Sequence, residues 1–387
     1  MRILTLSTLF PNAVQPNLGI FVERQATALA KRDGMNVKVI NPIALPPWPL
    51  SCHSSYAGLQ RLPEAQDWRG LSVHRPRFTL LPMIGGRFSP TAIVRAVLPL
   101  AQRLHAKTPF DLIDAEFLYP DGPAAMHIAR ALGLPFTIKA RGADVHHWGE
   151  HPAYCKQIVG ASYAASGLLA VSEALKADMV SLGMPQDNIR VHYTGCDQGR
   201  FRPLSDTGPR ETLGVKGPLL VSVGALIARK RQDLAIRALA ELPDATLLVI
   251  GDGPEKSSYR ALAAALGVGK RVRFVGAIPH DELPRYLAAA DALVLVSASE
   301  GLANSWVEAL ACGTPVVIGD VGGARELVRD DVAGRIIEPD PTAIAEAVRA
   351  ILAAPPSREA VRATVARFTW QRNAEELESF FAEILNN

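Results

Sequence analysis

Short apolar runs alternate with longer amphipathic ones along most of this 387-residue chain, and that alternation limits the fold more than any other feature. "RILTLS", "VKVINP", "DLIDAE", "PFTIKA", "GLLAVS" and "IRVHY" come first. "PLLVSVG", "TLLVIGDG", "VRFVG", "ALVLVS" and "PVVIGD" follow, with helical stretches such as "KRQDLAIRALAEL" and "SSYRALAAALG" between them. Strand–helix alternation at this spacing implies parallel sheets covered by helices on both faces. The pattern runs twice, separated by the turn-rich "PLSDTGPRETLGVKG", which reads as a linker. The length also exceeds what one core serves. The expectation is an α/β chain of two doubly wound, Rossmann-like domains facing a cleft, over residues 1–204 and 217–367, with residues 368–387 forming a last helix. Ligands of such sheets bind beyond the carboxyl ends of the strands.

Apolar residues make up 48% and charged residues 20%, an ordinary globular balance, and nothing in it points to a nucleic-acid partner. Cys52, Cys155, Cys196 and Cys312 show no C-x-x-C or metal spacing and fit a reducing compartment. "MRILTLSTLFP" breaks at Pro11 without a small-residue cleavage site and reads as a first strand; no stretch reaches membrane-spanning length. The expectation is a cytoplasmic protein. Residues 1–204 hold 21 Lys+Arg against 14 Asp+Glu, whereas the remainder holds 20 against 24. A basic first half suits an anionic partner such as a membrane surface or charged glycan, with scattered solvated arginines as the alternative.

"SEGLANSWVEALACGTPVV" carries the densest chemistry. The preceding "DALVLVS" reads as a buried strand, Asn304 as a helix N-cap, and Gly313 followed by Pro315 as a helix stop. Glu300 then lies in the loop and Glu308 one turn inside the helix. Two carboxylates beside a positive helix end suit a ligand carrying both phosphate and hydroxyl groups. A capping box on a solvated helix face is the competing reading.

Other signals are weaker singly. In "SVGALIARKRQDLAI" a strand ends at Gly224 and Lys230 stands where a helix begins, so a compact cation faces the cleft, as a diphosphate requires. "GDGP" at Gly251 to Pro254 is a strand-to-helix turn. Gly19 follows the first strand and precedes a helix, without the spacing of a nicotinamide site. "KARGADVHHW" places Arg141 and Asp144 at a strand end. His146, His147 and His151 lack a partner cluster at ligand spacing, so no metal site is expected. There is no G-x-S-x-G elbow, P-loop or Asp-x-Asp, which disfavours a serine hydrolase, an NTPase and a metal-dependent nucleotide-sugar site.

Together these residues resemble the retaining family-4 glycosyltransferases of the GT-B fold, over essentially the whole chain. "EGLANSWVEALACGTPVV" is similar to that family's E-x7-E element and the A-x-G-x-P-V strand, followed by "GDVGGARELV". "VRFVGAIPHDELPRYLAAADALVLVSASEG" resembles the stretch preceding it. "PNLGIFVERQ" and "YPDGPAAMHIARALGLPFTIKARGADVH" look closest to the teichuronic-acid and exopolysaccharide assembly subgroup. The resemblance implies a metal-independent enzyme without a cofactor, which moves a sugar from a UDP- or GDP-sugar donor to a saccharide or lipid-linked acceptor in cell-surface glycan synthesis. It implies that Glu308 accepts from the ribose, Glu300 holds sugar hydroxyls, and the backbone of Gly301, Leu302, Ala303 and Asn304 holds sugar and phosphate. Lys230, near Gly224, meets the diphosphate; Gly19 approaches it from the other domain; Arg141 and Asp144 lie on the acceptor or sugar side. Family analogy also sends the last helix back to the first domain.

Three positions depart from the family: Ala225 where an arginine is common, with Arg229 as a displaced substitute; Arg141 where many members have histidine; and Thr194 for a frequent asparagine. A nucleotide-sugar 2-epimerase of the same architecture and a non-catalytic sugar-binding protein are the alternatives. "RPRFTLLPMIGGRF" mixes Arg75, Arg77 and Arg87 with Phe78, Leu80, Leu81, Met83, Ile84 and Phe88; a peripheral contact with anionic lipid on the inner membrane face is one reading, a buried hairpin the other.

Overall fold

The computed structural model describes residues 1–80, 86–204, 208–212 and 214–386. The chain divides into two compact units, Met1–Gly195 with Trp370–Asn387, and Cys196–Thr369. Among the described residues the first unit is built on strands β1 Arg2–Leu6, β2 Asn36–Ile40, β3 Ile43–Leu45, β4 Ala65–Trp68, β5 Leu71–His74, β6 Arg77–Thr79, β7 Leu112–Ala115, β8 Phe136–Ala140, β9 Gly167–Ala170 and β10 Ile189–Val191. Eight of them form one sheet in the order β10-β9-β8-β7-β1-β2-β5-β4, while β3 and β6 pair separately. The strands β7, β8 and β9 are buried throughout, so they do not alternate apolar and polar faces, although β7 buries Asp114 and β8 buries Thr137 and Lys139. All neighbours in the large sheet are parallel except β4 and β5.

That antiparallel pair is absent from the sequence reading. Arg69 and Gly70 both take positive φ, 53° and 85°, giving the two-residue hairpin turn that matches strand twist, and the Gly70 N–H donates to Asp67 Oδ1 at 3.0 Å. Arginine at the first of those positions conceals the turn.

The second unit holds β11 Leu219–Val223, β12 Thr246–Ile250, β13 Val272–Gly276, β14 Ala292–Leu295, β15 Val316–Gly319 and β16 Gly334–Ile337. They form a parallel sheet in the order β13-β12-β11-β14-β15-β16. Strand order reverses between β11 and β14, so the loops leaving their carboxyl ends flank the crevice where doubly wound sheets take ligands.

The first unit boundary falls at 195/196, before the expected 204/217 junction, and the second at 369/370, just beyond the expected 367/368 junction. Cys196 N–H donates to the Phe368 carbonyl at 3.0 Å and Gln198 Nε2 to the Val365 carbonyl at 2.7 Å, which ties the segment after residue 195 to the second unit. The stretch expected as a linker includes a short helix, Gly208–Thr212, and Arg210 pairs with Asp291 at 2.5 Å; residues 205–207 and 213 of that stretch lie outside the described residues. The helix Trp370–Asn386 belongs to the first unit. Its Ala374, Leu377, Phe380 and Phe381 join Ile3, Phe10, Val22 and Leu29 in one core.

Candidate active site

The loop after β11 begins at Gly224, forms a tight turn over Ala228–Lys230, and enters the helix Gln232–Ala238. The loop after β14 carries Glu300. These loops meet: Lys230 Nζ donates to Glu300 Oε1, and Arg229 reaches Glu300 Oε2 at 3.3 Å. Arg229 is also stitched to the same loop, with its guanidinium donating to the Ser299 carbonyl and its own carbonyl accepting from Ala298 N–H at 2.8 Å. Glu300 is 7% exposed. Burial disfavours its charge, but the Lys230 ammonium and Arg229 guanidinium outweigh burial and hold the carboxyl below its usual range. Glu300 is therefore an ionised carboxylate at neutral pH.

Glu308 lies within the helix Asn304–Ala311. Ala303, with φ −69° and ψ 121°, occupies the N-cap position, so Asn304 is the first helical residue rather than the cap. The helix ends as expected at Cys312, with Gly313 at φ 75°. Leu302 and Ala303 are 6% and 7% exposed. Gly322 fixes this loop from behind. Its φ is 51°, and a Cβ there would stand 2.2 Å from the Glu300 carbonyl oxygen, so only glycine lets the "GDVGG" turn approach so closely; Gly323 N–H donates to the Gly301 carbonyl at 2.8 Å.

Glu308 Oε1 lies 2.7 Å from His280 Nε2. His280 starts a short turn after β13 and packs its ring against Phe201, with centroids 5.2 Å apart. The sequence reading passed over His280, although "PHDEL" follows the carboxyl end of a strand, where site residues of this fold stand.

In the first unit Gly19 takes φ 64° at the start of the helix Ile20–Ala30. A Cβ there would lie 2.3 Å from the Leu9 carbonyl, so close backbone packing already requires glycine. Arg141 pairs with Glu116 and stacks over Phe21, 4.9 Å to the ring centroid. Asp144 is fully buried, and its carboxylate accepts from the N–H groups of Leu118, Arg141 and Gly142 at 2.8–3.1 Å. It shapes the loop that presents Arg141. Both of its oxygens are turned to these backbone N–H groups. Behind Arg141 lies a buried polar network absent from the sequence reading. Gln25 donates to Glu116, Lys139 Nζ lies 2.8 Å from Gln25 Oε1 and 2.7 Å from His192 Nδ1, and His192 Nε2 lies 2.8 Å from the Asn373 carbonyl. A carbonyl only accepts, so Nε2 carries the proton and Nδ1 accepts from Lys139. Burial, with Lys139 beside it, pushes the His192 imidazole well below its usual range. Single lysines and histidines within strand patterns gave no signal of this.

The three neighbouring histidines are occupied otherwise. His146 pairs with Asp178 at 2.9 Å, His147 packs edge-on against Trp148, and His151 caps the helix Pro152–Ala164. Among the described residues no group of three His, Cys, Asp or Glu side chains is placed to hold a metal ion. Of the basic–apolar stretch at 75–88, Arg75 is fully buried, stacked on Trp68 and donating to the Pro11 carbonyl at 3.1 Å, and Phe78 is buried too. Arg77 is spent on the Leu62 and Arg75 carbonyls. Phe88 is 55% exposed with Arg87 stacked on it; Leu81, Met83 and Ile84 lie outside the described residues.

Comparison with known proteins agrees with this architecture. The family model for Glycosyltransferase Family 4 matches residues 18–200, and that for Glycosyl transferases group 1 matches residues 209–368. The chain is 30% identical over 341 residues to the teichuronic acid biosynthesis glycosyltransferase TuaC of Bacillus subtilis, covering 84% of this chain and 83% of that one. It is 39% identical over 191 residues, 46% of this chain and 50% of the other, to a GDP-mannose-dependent phosphatidylinositol monomannoside mannosyltransferase of Mycolicibacterium smegmatis. Anabaena HepE, solved with UDP, superposes over 99% of this chain and 100% of its own with a TM-score of 0.76 at 22% identity. With the two Rossmann-like units and the E-x7-E loop in place, the chain belongs to the family-4 glycosyltransferases of the GT-B fold.

Proposed function

We propose that this glycosyltransferase takes its sugar from a UDP- or GDP-sugar, transfers it with retention of anomeric configuration and without a metal ion, and acts on a saccharide or lipid-linked acceptor in cell-surface polysaccharide assembly. The observation that carries the donor reading is the Lys230–Glu300 ion pair at the β11/β14 crevice, with Glu308 just inside the adjoining helix. A nucleotide sugar offers each group a partner. Its diphosphate takes the Lys230 ammonium, its sugar hydroxyls donate to Glu300, and its ribose hydroxyls donate to Glu308. As the bond from the anomeric carbon to the phosphate oxygen stretches, the leaving diphosphate gains charge that Lys230 neutralises. The acceptor oxygen forms the new bond on the same face and gives its proton to the departing phosphate. Support for the donor class comes from relatives: HepE was solved with UDP and with UDP-glucose, and the mycolicibacterial relative is GDP-mannose-dependent. TuaC supports the polysaccharide setting.

The test is a panel of UDP- and GDP-sugars, with and without EDTA, read by release of nucleoside diphosphate and by the anomeric signal of the product. Turnover that survives EDTA and yields a retained linkage is the expected result. No diphosphate release from any donor would sink the reading.

We also propose cytoplasmic action at an anionic lipid surface. The ends of β3 and β6 are in register, Leu45 opposite Thr79. Trp48 and Leu50 follow β3 and are 80% and 55% exposed, while Arg87 and Phe88 follow β6. No helix of the described residues is long and apolar enough to cross a membrane. Flotation with anionic vesicles should show binding that high salt weakens, and absence of binding at low salt rejects the proposal.

A further inference from the structure

We infer that His280 is a positioning residue that fixes the Glu308 carboxylate for recognition of the nucleotide ribose. The inference deepens, and rests on, the reading of Glu308 as the ribose holder. A glutamate on a helix turns about several side-chain bonds, and a carboxylate that must accept from two neighbouring hydroxyls gains from being held in one orientation before the ligand arrives. Here Nε2 of His280 stands 2.7 Å from Oε1, with the two side chains only 16% and 13% exposed. Oε2 has no partner among the described residues, and the second lone pair of Oε1 also stays available.

The imidazole is itself fixed. Its residue opens the turn His280–Glu282, where Glu282 N–H donates to the Pro279 carbonyl at 2.9 Å, and the neighbouring Asp281 pairs with Arg200. Phe201 covers the ring. Nδ1 is buried without a hydrogen-bond partner among the described residues. Holding the proton on Nε2 therefore leaves a bare acceptor inside, which is milder than a buried unpartnered N–H and points that N–H at Glu308. His280 thus belongs to the nucleotide site without touching the nucleotide.

The experiment compares binding of UDP and 2′,3′-dideoxy-UDP by calorimetry, repeated with the GDP pair and read on whichever base binds tighter. Wild type should lose about tenfold or more in affinity when the ribose hydroxyls are removed. In Glu308→Ala that sensitivity should vanish. In His280→Phe, which keeps a flat ring against Phe201 but deletes the donor, it should shrink to within about threefold, while His280→Gln, which restores an N–H, should keep most of it. His280→Leu replaces the phenylalanine variant if the latter has a collapsed melting transition. Full sensitivity in His280→Phe, beside its loss in Glu308→Ala, overturns the role of His280 and leaves the ribose reading standing. Equal loss in the phenylalanine and glutamine variants also overturns it, because restoring an N–H donor then fails to restore the sensitivity. Undiminished sensitivity in Glu308→Ala, or failure of both UDP and GDP to bind wild type, removes the ribose reading and this inference with it.

Discussion

Arg229 and Lys230 are adjacent cations with different tasks. Arg229 is bound to the 298–300 loop through both backbone and guanidinium, so it is the lasting counter-ion of Glu300 and a poor substitute for the arginine missing at Ala225. Lys230 carries a single compact charge that can pass from Glu300 to a diphosphate. Arg229→Ala should leave affinity for nucleoside diphosphate nearly unchanged while raising the acid limb of the pH–rate profile. The sign follows from Glu300: its folded carboxyl lies below its ordinary range, so its contribution is present above the unfolded value and lost as pH falls, and removing a cation moves that loss upward. Weakened diphosphate binding with an unmoved limb would make Arg229 a phosphate ligand instead. Lys230→Ala should reduce turnover more than donor affinity, by about 2.7–4 kcal/mol if it resembles loss of an oxyanion donor. Ala225 is exposed, so Ala225→Arg can be accommodated in that background and should recover part of the rate. Near-normal turnover in Lys230→Ala refutes its role.

At the level of elements, legibility followed burial. The apolar runs became β1, β2 and β7 to β15; most are buried, whereas β10 and β13 are largely half-exposed and stood out through their β-branched and aromatic residues despite Arg190 and Arg273. The strands β3, β4, β5 and β16 were passed over, because they are short and half-exposed ones such as "AQDW" look like loop; β6 fell in the stretch read as a lipid contact or a buried hairpin and instead pairs in parallel with β3. The carboxylate loop was legible because it is continuous in sequence, whereas the Glu308–His280 pair joins residues 28 apart and needed the fold to bring β13 beside that helix. The last helix was legible as amphipathic, but its packing on the first unit came from family analogy alone. Its Phe381 is fully buried in a core shared with Ile3 and Leu29, so Phe381→Ala should destabilise the first unit by about 3–5 kcal/mol. A change below about 1 kcal/mol in chemical denaturation would show that the helix contributes little to that core.

Across the whole molecule, buried carboxyls give the two units opposite responses to pH. Glu300 in the second unit favours folding as an anion and loses its contribution in acid. Asp121 in the first unit is fully buried, with one oxygen accepting from Thr8 N–H at 3.0 Å and the other unpartnered among the described residues. Burial pushes its carboxyl up to about 8, only partly offset by that hydrogen bond. The folded chain therefore keeps a proton that the unfolded chain releases above its ordinary value of 3.8, and the associated stability is lost as pH rises from there through about 8. His192 acts in the other direction, since its imidazole is held neutral and its contribution is lost as pH falls through the ordinary histidine range. A raw stability curve mixes these effects, so the measurement must be a difference. Asp121→Asn keeps the carbonyl that Thr8 needs and cannot ionise. Relative to this variant, wild type should hold its greatest advantage below the carboxyl's ordinary value of 3.8, keep only part of it at pH 5 and have lost the rest by pH 9, the change between pH 5 and 9 being on the order of a few kcal/mol at about 1.4 kcal/mol per pH unit. Denaturation of both proteins at the two pH values reads it directly. A wild-type-to-variant difference that stays flat would mean that Asp121 is already ionised in the fold, and that the Asp121 N-terminal turn of its helix tolerates the charge.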